Sequence, residues 1–219
     1  MDKLKTPTLI KKGAEASLYL SLWHDRKVIL KKRLPKKYRP NALDSQIRIF
    51  RTIHEPQLMH EARKAGVPTP TIFMVDVKNA TIIMEFIDGI QVKQMLTEIS
   101  PRERQGLCLE IGKLIGKLHG NSIIHGDLTT SNMIMNSEGR IFFVDFGLGE
   151  RSSETEARGV DLHLMKRALH STHCGFAEKC FDSVVEGYSE TLGLEEARMV
   201  LSKAKEIERR GRYVKERTA

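Results

Sequence analysis

"IIHGDLTTSNMIM", residues 123–135, places a polar turn between two short apolar runs. The turn holds His125, Asp127 and Asn132, and it has a glycine at position 126, where no bulky side chain stands. A loop Asp at the mouth of a cleft can orient a hydroxyl or a water and accept its proton. Asn132, five residues on, and Asp145 in "IFFVDFGLGE" (141–150) offer hard oxygen ligands suited to Mg²⁺. Taken alone, Asp127 is also a good turn or helix cap, and His125 reads first as a packed, hydrogen-bonded ring. The cap reading weakens because Asp145 sits in a second glycine-containing turn after a buried strand.

Working outward, "KKGAEAS" (11–17) sets Gly13, Ala14, Glu15 and Ala16 in a turn between strands. It is not GxGxxG and is weak by itself, yet backbone N–H groups in a small-residue turn can approach phosphate. Lys31 lies on the next strand. The basic neighbours Lys32 and Arg33 allow the plainer reading of an exposed strand lysine. Glu55 follows in "RTIHEP" on a helix. A Lys–Glu ion pair of this kind aims the lysine at the α- and β-phosphates of a nucleotide.

The surrounding texture supports two halves. Residues 8–33 alternate as strands, and 34–44 form a proline-containing loop. Asp44 or Ser45 is expected to cap a helix to about Ala65, with Pro56 interrupting its pattern. "TIFMVDV" and "ATIIMEFI" read as a strand pair turned at Lys78-Asn79. Beyond a linker at 86–90 the pattern becomes helical: a short "QVKQMLTEI", then a helix over 101–120 capped by Ser100 with Pro101 at its first position, then 157–173, 176–192 and 195–210. A cleft between the halves is the default ligand site.

Composition narrows the class. The chain has 219 residues, 40% hydrophobic and 29% charged, which suits one domain or two small lobes. No run approaches the roughly 20 apolar residues of a membrane span. The N-terminus lacks the apolar core of a signal peptide. Three cysteines (Cys108, Cys174, Cys180) fit neither a disulfide framework nor a zinc site, so a reducing, cytoplasmic setting is expected. The net charge of +8 is uneven: residues 25–39 carry eight basic residues against one acid, and 196–219 carry eight against four. Such runs are either solvated faces or contacts for nucleic acid, phosphates or an acidic partner.

In order, the chain carries a small-residue loop, a third-strand Lys, a helix Glu, "MEFI" as a hinge, HGDxxxxN and DFG. That series resembles the protein-kinase-like superfamily. The resemblance implies a minimal two-lobed α+β fold: an N-lobe of antiparallel sheet plus one helix over 1–86, and a helical C-lobe over 87–219. Two departures stand out. Position 126 is Gly where a protein kinase has Arg, and no Ala-Pro-Glu follows the DFG. Asp161 follows Asp145 by only 16 residues, too few for a full activation segment.

Within that superfamily the chain resembles the KEOPS-complex kinase subunit family, the PRPK-type atypical kinases. The matching stretches are "GAEASLY" (13–19), "KKRLPKKYR" (31–39), "LD" (43–44), "RTIHE" (51–55), "GVPTP" (66–70), "HGDLTTSN" (125–132), "DFGL" (145–148), "VDLHLMKRALHSTH" (160–173) and "RRGR" (209–212). The resemblance implies an ATP-binding, Mg²⁺-dependent Ser/Thr kinase or ATPase. It implies a partner transferase subunit and other KEOPS subunits, together making threonylcarbamoyladenosine in tRNA. The chain's length suggests a separate archaeal subunit. By motif, Lys31 would hold the phosphates, Glu55 would anchor it, and Met84 would be the gatekeeper. The Glu85 carbonyl and the Ile87 N–H would bond adenine, Asp127 would be the base, and Asn132 and Asp145 would bind Mg²⁺. Lys32, Arg33, Lys36, Lys37 and Arg39, with Arg209, Arg210 and Arg212, are the candidate contacts to tRNA or partner. Two alternatives stay open: a small-molecule phosphotransferase of the His-Gly-Asp type, and a non-catalytic nucleic-acid-binding module that kept the fold.

Overall fold

The computed structural model describes the backbone of residues 5–216 and the side chains of 5–210. The first half is an antiparallel sheet of five strands: β1 (Thr8–Lys12), β2 (Ser17–Trp23), β3 (Arg26–Lys32), β4 (Ile72–Asp76) and β5 (Thr81–Glu85), in the order β1-β2-β3-β5-β4. Helix α1 (Asn41–Lys64) lies between β3 and β4 in the chain. In β3, Lys31 stands opposite Leu18 on one side and Ile82 on the other, at the centre of the sheet. Flanked by strands on both sides, a central strand cannot slip without turning its core side chains outward, so the position of Lys31 is well specified.

Helix α1 begins earlier than expected and ends where its apolar spacing predicts. It starts at Asn41 after Pro40, three residues ahead of the expected cap, and Asp44 sits inside its first turn. The Asp44 carboxylate accepts from the Lys36 N–H (3.2 Å) and from Arg48 Nε (2.7 Å), so it braces the preceding loop rather than capping the helix. The helix also runs through Pro56. Proline removes one backbone donor and normally kinks a helix. Here Thr52, Glu55, Leu58, Met59 and Ala62 are buried around it, and that packing outweighs the local cost.

The second half contains a small three-stranded sheet, β6 (Gly89–Gln91), β8 (Met133–Asn136) and β9 (Ile141–Phe143), ordered β6-β8-β9. Helices α2 (Val92–Glu98) and α3 (Pro101–Gly120) precede the short strand β7 (Ile123–Ile124), which pairs with β10 (Glu150–Arg151). Helices α4 (Thr155–Thr172), α5 (Ala177–Leu192) and α6 (Leu194–Glu216) complete the described residues. The expected start of α3 is realised as a full capping box: Ser100 Oγ accepts from the Glu103 N–H and Glu103 accepts from the Ser100 N–H. Helices α3 and α5 approach so closely that a side chain at Gly112 would strike the Val184 carbonyl, and one at Gly187 the Leu109 carbonyl. One apolar cluster runs from Leu58 and Ile82 through Leu107, Ile115, Phe143 and Phe146 to Tyr188 and Val200. The two polar turns, 125–132 and 145–149, are anchored in this core by Leu128 and Phe146. No helix among the described residues is long and apolar enough to cross a membrane.

Candidate active site

The side chains that face the sheet form a charged cluster. Lys31 Nζ donates to Glu55 Oε1 (2.7 Å) and to Asp145 Oδ1 (2.6 Å), although 114 residues separate Lys31 from Asp145. Asp145 has φ +66°, in the left-handed region that non-glycine residues seldom occupy. Such a conformation persists only where the surroundings impose it, and it is commonest at functional sites. Burial alone would raise the Asp145 pKa; the charge and hydrogen bond of Lys31 outweigh it and hold the carboxyl below its ordinary value. Its side chain keeps 50% of its surface open to the cleft, so an added cation has a free oxygen to meet.

The turn at 125–132 is held from underneath by one carboxylate. Asp161 Oδ2 accepts from the His125 N–H (2.7 Å) and Oδ1 from the Gly126 N–H (2.9 Å); His119 Nε2 lies 3.4 Å from Oδ2. Gly126 has φ +78°, and a side chain there would collide with the Leu148 carbonyl. The missing bulk at this position is therefore what lets the two polar turns close on each other. The buried ring of His125 offers Nε2 to the Val144 carbonyl (3.2 Å) and accepts the Asp127 N–H at Nδ1 (3.3 Å). That pattern is satisfied by the neutral Nε2–H tautomer. Burial pushes the His125 pKa down, against the pull of Asp161, Asp145 and Asp127, and so favours the neutral ring.

Asn132 closes the turn. Its Nδ2 donates to the Asp127 carbonyl (2.9 Å) and to Asp127 Oδ2 (2.8 Å), while the Val144 N–H binds its backbone oxygen (2.9 Å). With the amide nitrogen committed to Asp127, the side-chain oxygen is the end left for a cation. Asn132 and Asp145 would thus supply two oxygens to Mg²⁺, which normally takes one or two protein ligands and completes its shell with phosphates and water.

The cleft has two compartments. One, about 270 Å³, is lined by Leu18, Ile29, Met84, Ile87, Ile134 and Val144 and suits a flat apolar base. The other, about 370 Å³, is lined by Gly13 to Ala16, Lys31, Asp127, Asn132 and Asp145. The structure thus brings together the candidates Gly13, Ala14, Glu15, Ala16, Lys31, Met84, Glu85, Ile87, Asp127, Asn132 and Asp145 around one cleft, with Glu55 behind Lys31. Glu15, at the tip of the small-residue turn, is paired with Arg51 (2.6 Å) and Arg39 (3.4 Å). Those pairs neutralise a carboxylate that would otherwise repel phosphate.

The basic candidates divide. Lys32, Lys37 and Arg209 are exposed. Lys36 Nζ donates to the Ala14 carbonyl and Arg39 holds Glu15, so both brace the cleft's turn. Arg210 pairs with Glu156 and Glu206. The side chain of Arg212 lies outside the described residues. Arg33 corrects an expectation: it is 3% exposed, points inward and pairs with Glu55, so it is not a surface contact. The role of Asp161 was missed. The signal was present, since it shares the apolar face of α4 with Leu162, Met165 and Leu169, where a carboxylate needs buried donors.

The profile of the Lipopolysaccharide kinase (Kdo/WaaP) family matches residues 12–188. The KEOPS complex subunit Bud32 of Pyrococcus abyssi is 47% identical over 211 residues, covering 94% of this chain and 96% of that protein. A probable bifunctional tRNA threonylcarbamoyladenosine biosynthesis protein of Methanothermobacter thermautotrophicus is 42% identical over 94% of this chain, which spans 37% of that protein's length. Among solved structures, the Rio2 kinase of Chaetomium thermophilum, in an ADP/Mg²⁺-phosphoaspartate complex, shares the fold at a TM-score of 0.65 with 15% identity, over 93% of this chain and 70% of that one. Near-full-length identity to one and a family profile over most of the residues place the sequence: this chain belongs to the Kdo/WaaP kinase family and, over nearly all its length, to the family of the KEOPS complex subunit Bud32.

Proposed function

We propose that the chain is the ATP-dependent kinase subunit of a KEOPS-type assembly that supports threonylcarbamoyladenosine formation in tRNA, working beside a threonylcarbamoyl transferase subunit in the cytoplasm. The observation that carries the catalytic part is the convergence of Lys31, Glu55 and Asp145 within hydrogen-bond distance across the cleft, with Asp127 and Asn132 joined beside them.

In this reading the apolar compartment between the lobes, 1–86 and 87–219, receives adenine, with Met84 behind it and the Glu85–Ile87 backbone along its edge. Lys31 turns from Asp145 to the phosphates. Asn132 and Asp145 would hold Mg²⁺, which would supply neutralising charge at the phosphates. Asp127 orients the attacking hydroxyl, of a protein Ser or Thr or of water, and takes up its proton. The γ-phosphoryl then passes to that oxygen and ADP leaves. The alternative of a small-molecule phosphotransferase of the His-Gly-Asp type has less support, because two residues, Ile99 and Ser100, join α2 to α3 and leave no insert there to shape an acceptor pocket.

Two measurements test this. Mg-ATP should raise the melting temperature, since a ligand that binds only the folded state stabilises it, and Asp145→Ala should remove the Mg²⁺-dependent part. Reconstituted with the transferase and its companions, the wild-type chain should support formation of the modified nucleoside and Asp127→Asn should not. A melting curve indifferent to millimolar Mg-ATP would overturn the nucleotide site; equal modification without the chain would overturn the assembly role.

A further inference from the structure

Glu55 meets two cations. Its Oε1 accepts from Lys31 Nζ (2.7 Å) and its Oε2 from Arg33 Nη2, and all three side chains are buried. Resting on the nucleotide-site reading above, we infer that Arg33 is a positioning residue: it holds Glu55, and with it α1, against the cleft independently of Lys31, and so frees Lys31 to serve the phosphates.

Before nucleotide enters, Lys31 serves two acids, Glu55 and Asp145. Phosphates and a cation would compete for Lys31 and Asp145 at once. A buried carboxylate losing its only cation is strongly destabilised, and that cost would be subtracted from phosphate binding. Arg33 removes it, because Glu55 keeps a cation whatever Lys31 does. Arg33 is also fastened to both layers. Its backbone N–H donates to the Ala80 carbonyl (3.0 Å) at the sheet, and its Nη1 donates to Thr52 Oγ1 (3.3 Å) on α1. Thr52 is itself anchored to the Arg48 carbonyl (2.7 Å). The forked guanidinium spans Glu55 and Thr52 together, which an ammonium reaches less well. The same pair abuts the turn after Asp145: a side chain at Gly147 would come within 3.3 Å of Arg33 Nη2 and 3.5 Å of Glu55 Oε2. Kinases that switch control the Lys–Glu pair through activation-loop phosphorylation. With 16 residues from Asp145 to Asp161 and Gly at 126, this chain lacks that device, and Arg33 supplies the docking permanently.

The test uses the full chain and has two arms. Without nucleotide, hydrogen exchange of the α1 amides over 50–59 should quicken by roughly tenfold or more in Arg33→Met. It should stay within about twofold of wild type in Lys31→Met, because Arg33 still holds Glu55 there. In ATP turnover, Arg33→Met should lower kcat by about 10- to 100-fold and shift the KM for ATP by less than about threefold, and Arg33→Lys should recover part of the loss. In a Glu55→Gln background the same Arg33→Met change should cost less than about twofold, the non-additivity expected of residues acting through one another. If Arg33→Met does not fold, Thr52→Val, which removes only the second anchor, should move both readouts in the same direction by less. Unchanged α1 exchange in Arg33→Met, or fully additive losses with Glu55→Gln, would overturn the inference. Absence of turnover in the wild type would count against the kinase reading instead, and the exchange arm would still decide the role of Arg33.

Discussion

Lys32 and Arg33 are neighbours in the chain and opposite in circumstance. Lys32 ends β3 with its side chain in solvent, while Arg33 is 3% exposed and pairs with Glu55. The contrast extends to the two regions they stand for. In the cleft, Lys31, Arg33, Glu55 and Asp145 form a charge-balanced group in which each charge has a partner. On the surface, Lys37 and Arg209 stand in solvent. A buried charge is costly unless paired, so removing one partner is felt strongly. An exposed charge is screened and contributes little to folding, so its use lies in encounters with other molecules.

The sharpest way to break the comparison is to remove the base from the cleft. Asp127→Asn keeps the shape and the bond from Asn132 but loses basicity. Phosphoryl transfer should fall by roughly 10²- to 10⁴-fold, with nucleotide affinity nearly unchanged by calorimetry. Turnover equal to wild type would assign the activity elsewhere.

A second prediction concerns the buried support rather than the reacting groups. Asp161→Leu strands the N–H groups of His125 and Gly126. Each unsatisfied buried donor costs about 1–3 kcal/mol, so urea unfolding should show a loss of about 2–5 kcal/mol and turnover should drop with it. A loss below that range would mean that water replaces the carboxylate.

A third effect is pH-dependent. Burial lowers the His125 pKa from the ordinary 6.5, so the unfolded chain takes up a proton where the folded chain does not. Stability from this group is complete above that value and declines as the pH falls below it, at up to about 1.4 kcal/mol per pH unit. His163 and His173 are displaced in the same direction, also by burial first. His125→Gln should therefore flatten, without abolishing, the decline in melting temperature between about pH 6.5 and 5. An identical slope in wild type and variant would remove His125 from the account.

The smallest effect on folding belongs to the surface. Replacing Lys32, Lys37 and Arg209 by Ala should change stability by less than about 0.5 kcal/mol each and leave Mg-ATP binding intact. If these cations meet tRNA, the log–log salt dependence of binding should flatten by about two to three units. A slope equal to wild type would leave them as a solvated face.

Much of this was legible along the chain because its signals are local. HGDxxxxN and DFG are short turns whose spacing carries their chemistry, the strand alternation of β2 depends on neighbours two apart, and the Ser100 capping box spans four residues. The helix through Pro56 to about Ala65 was legible from the helical spacing of Leu58 and Ala62, whose burial outweighs the proline's local cost, while its start at Asn41 was not. What only the tertiary structure decided is the set of partners brought from far apart. Residues 114 apart put Lys31 on Asp145, and 36 apart put Asp161 under His125. The inward turn of Arg33 belongs to the same set: in a basic run nothing marks one cation as buried until Glu55 and Thr52 of α1 are placed against it. A charge pattern in sequence records how many cations there are; their desolvation, and hence their energetic weight, exists only once the chain has folded around them.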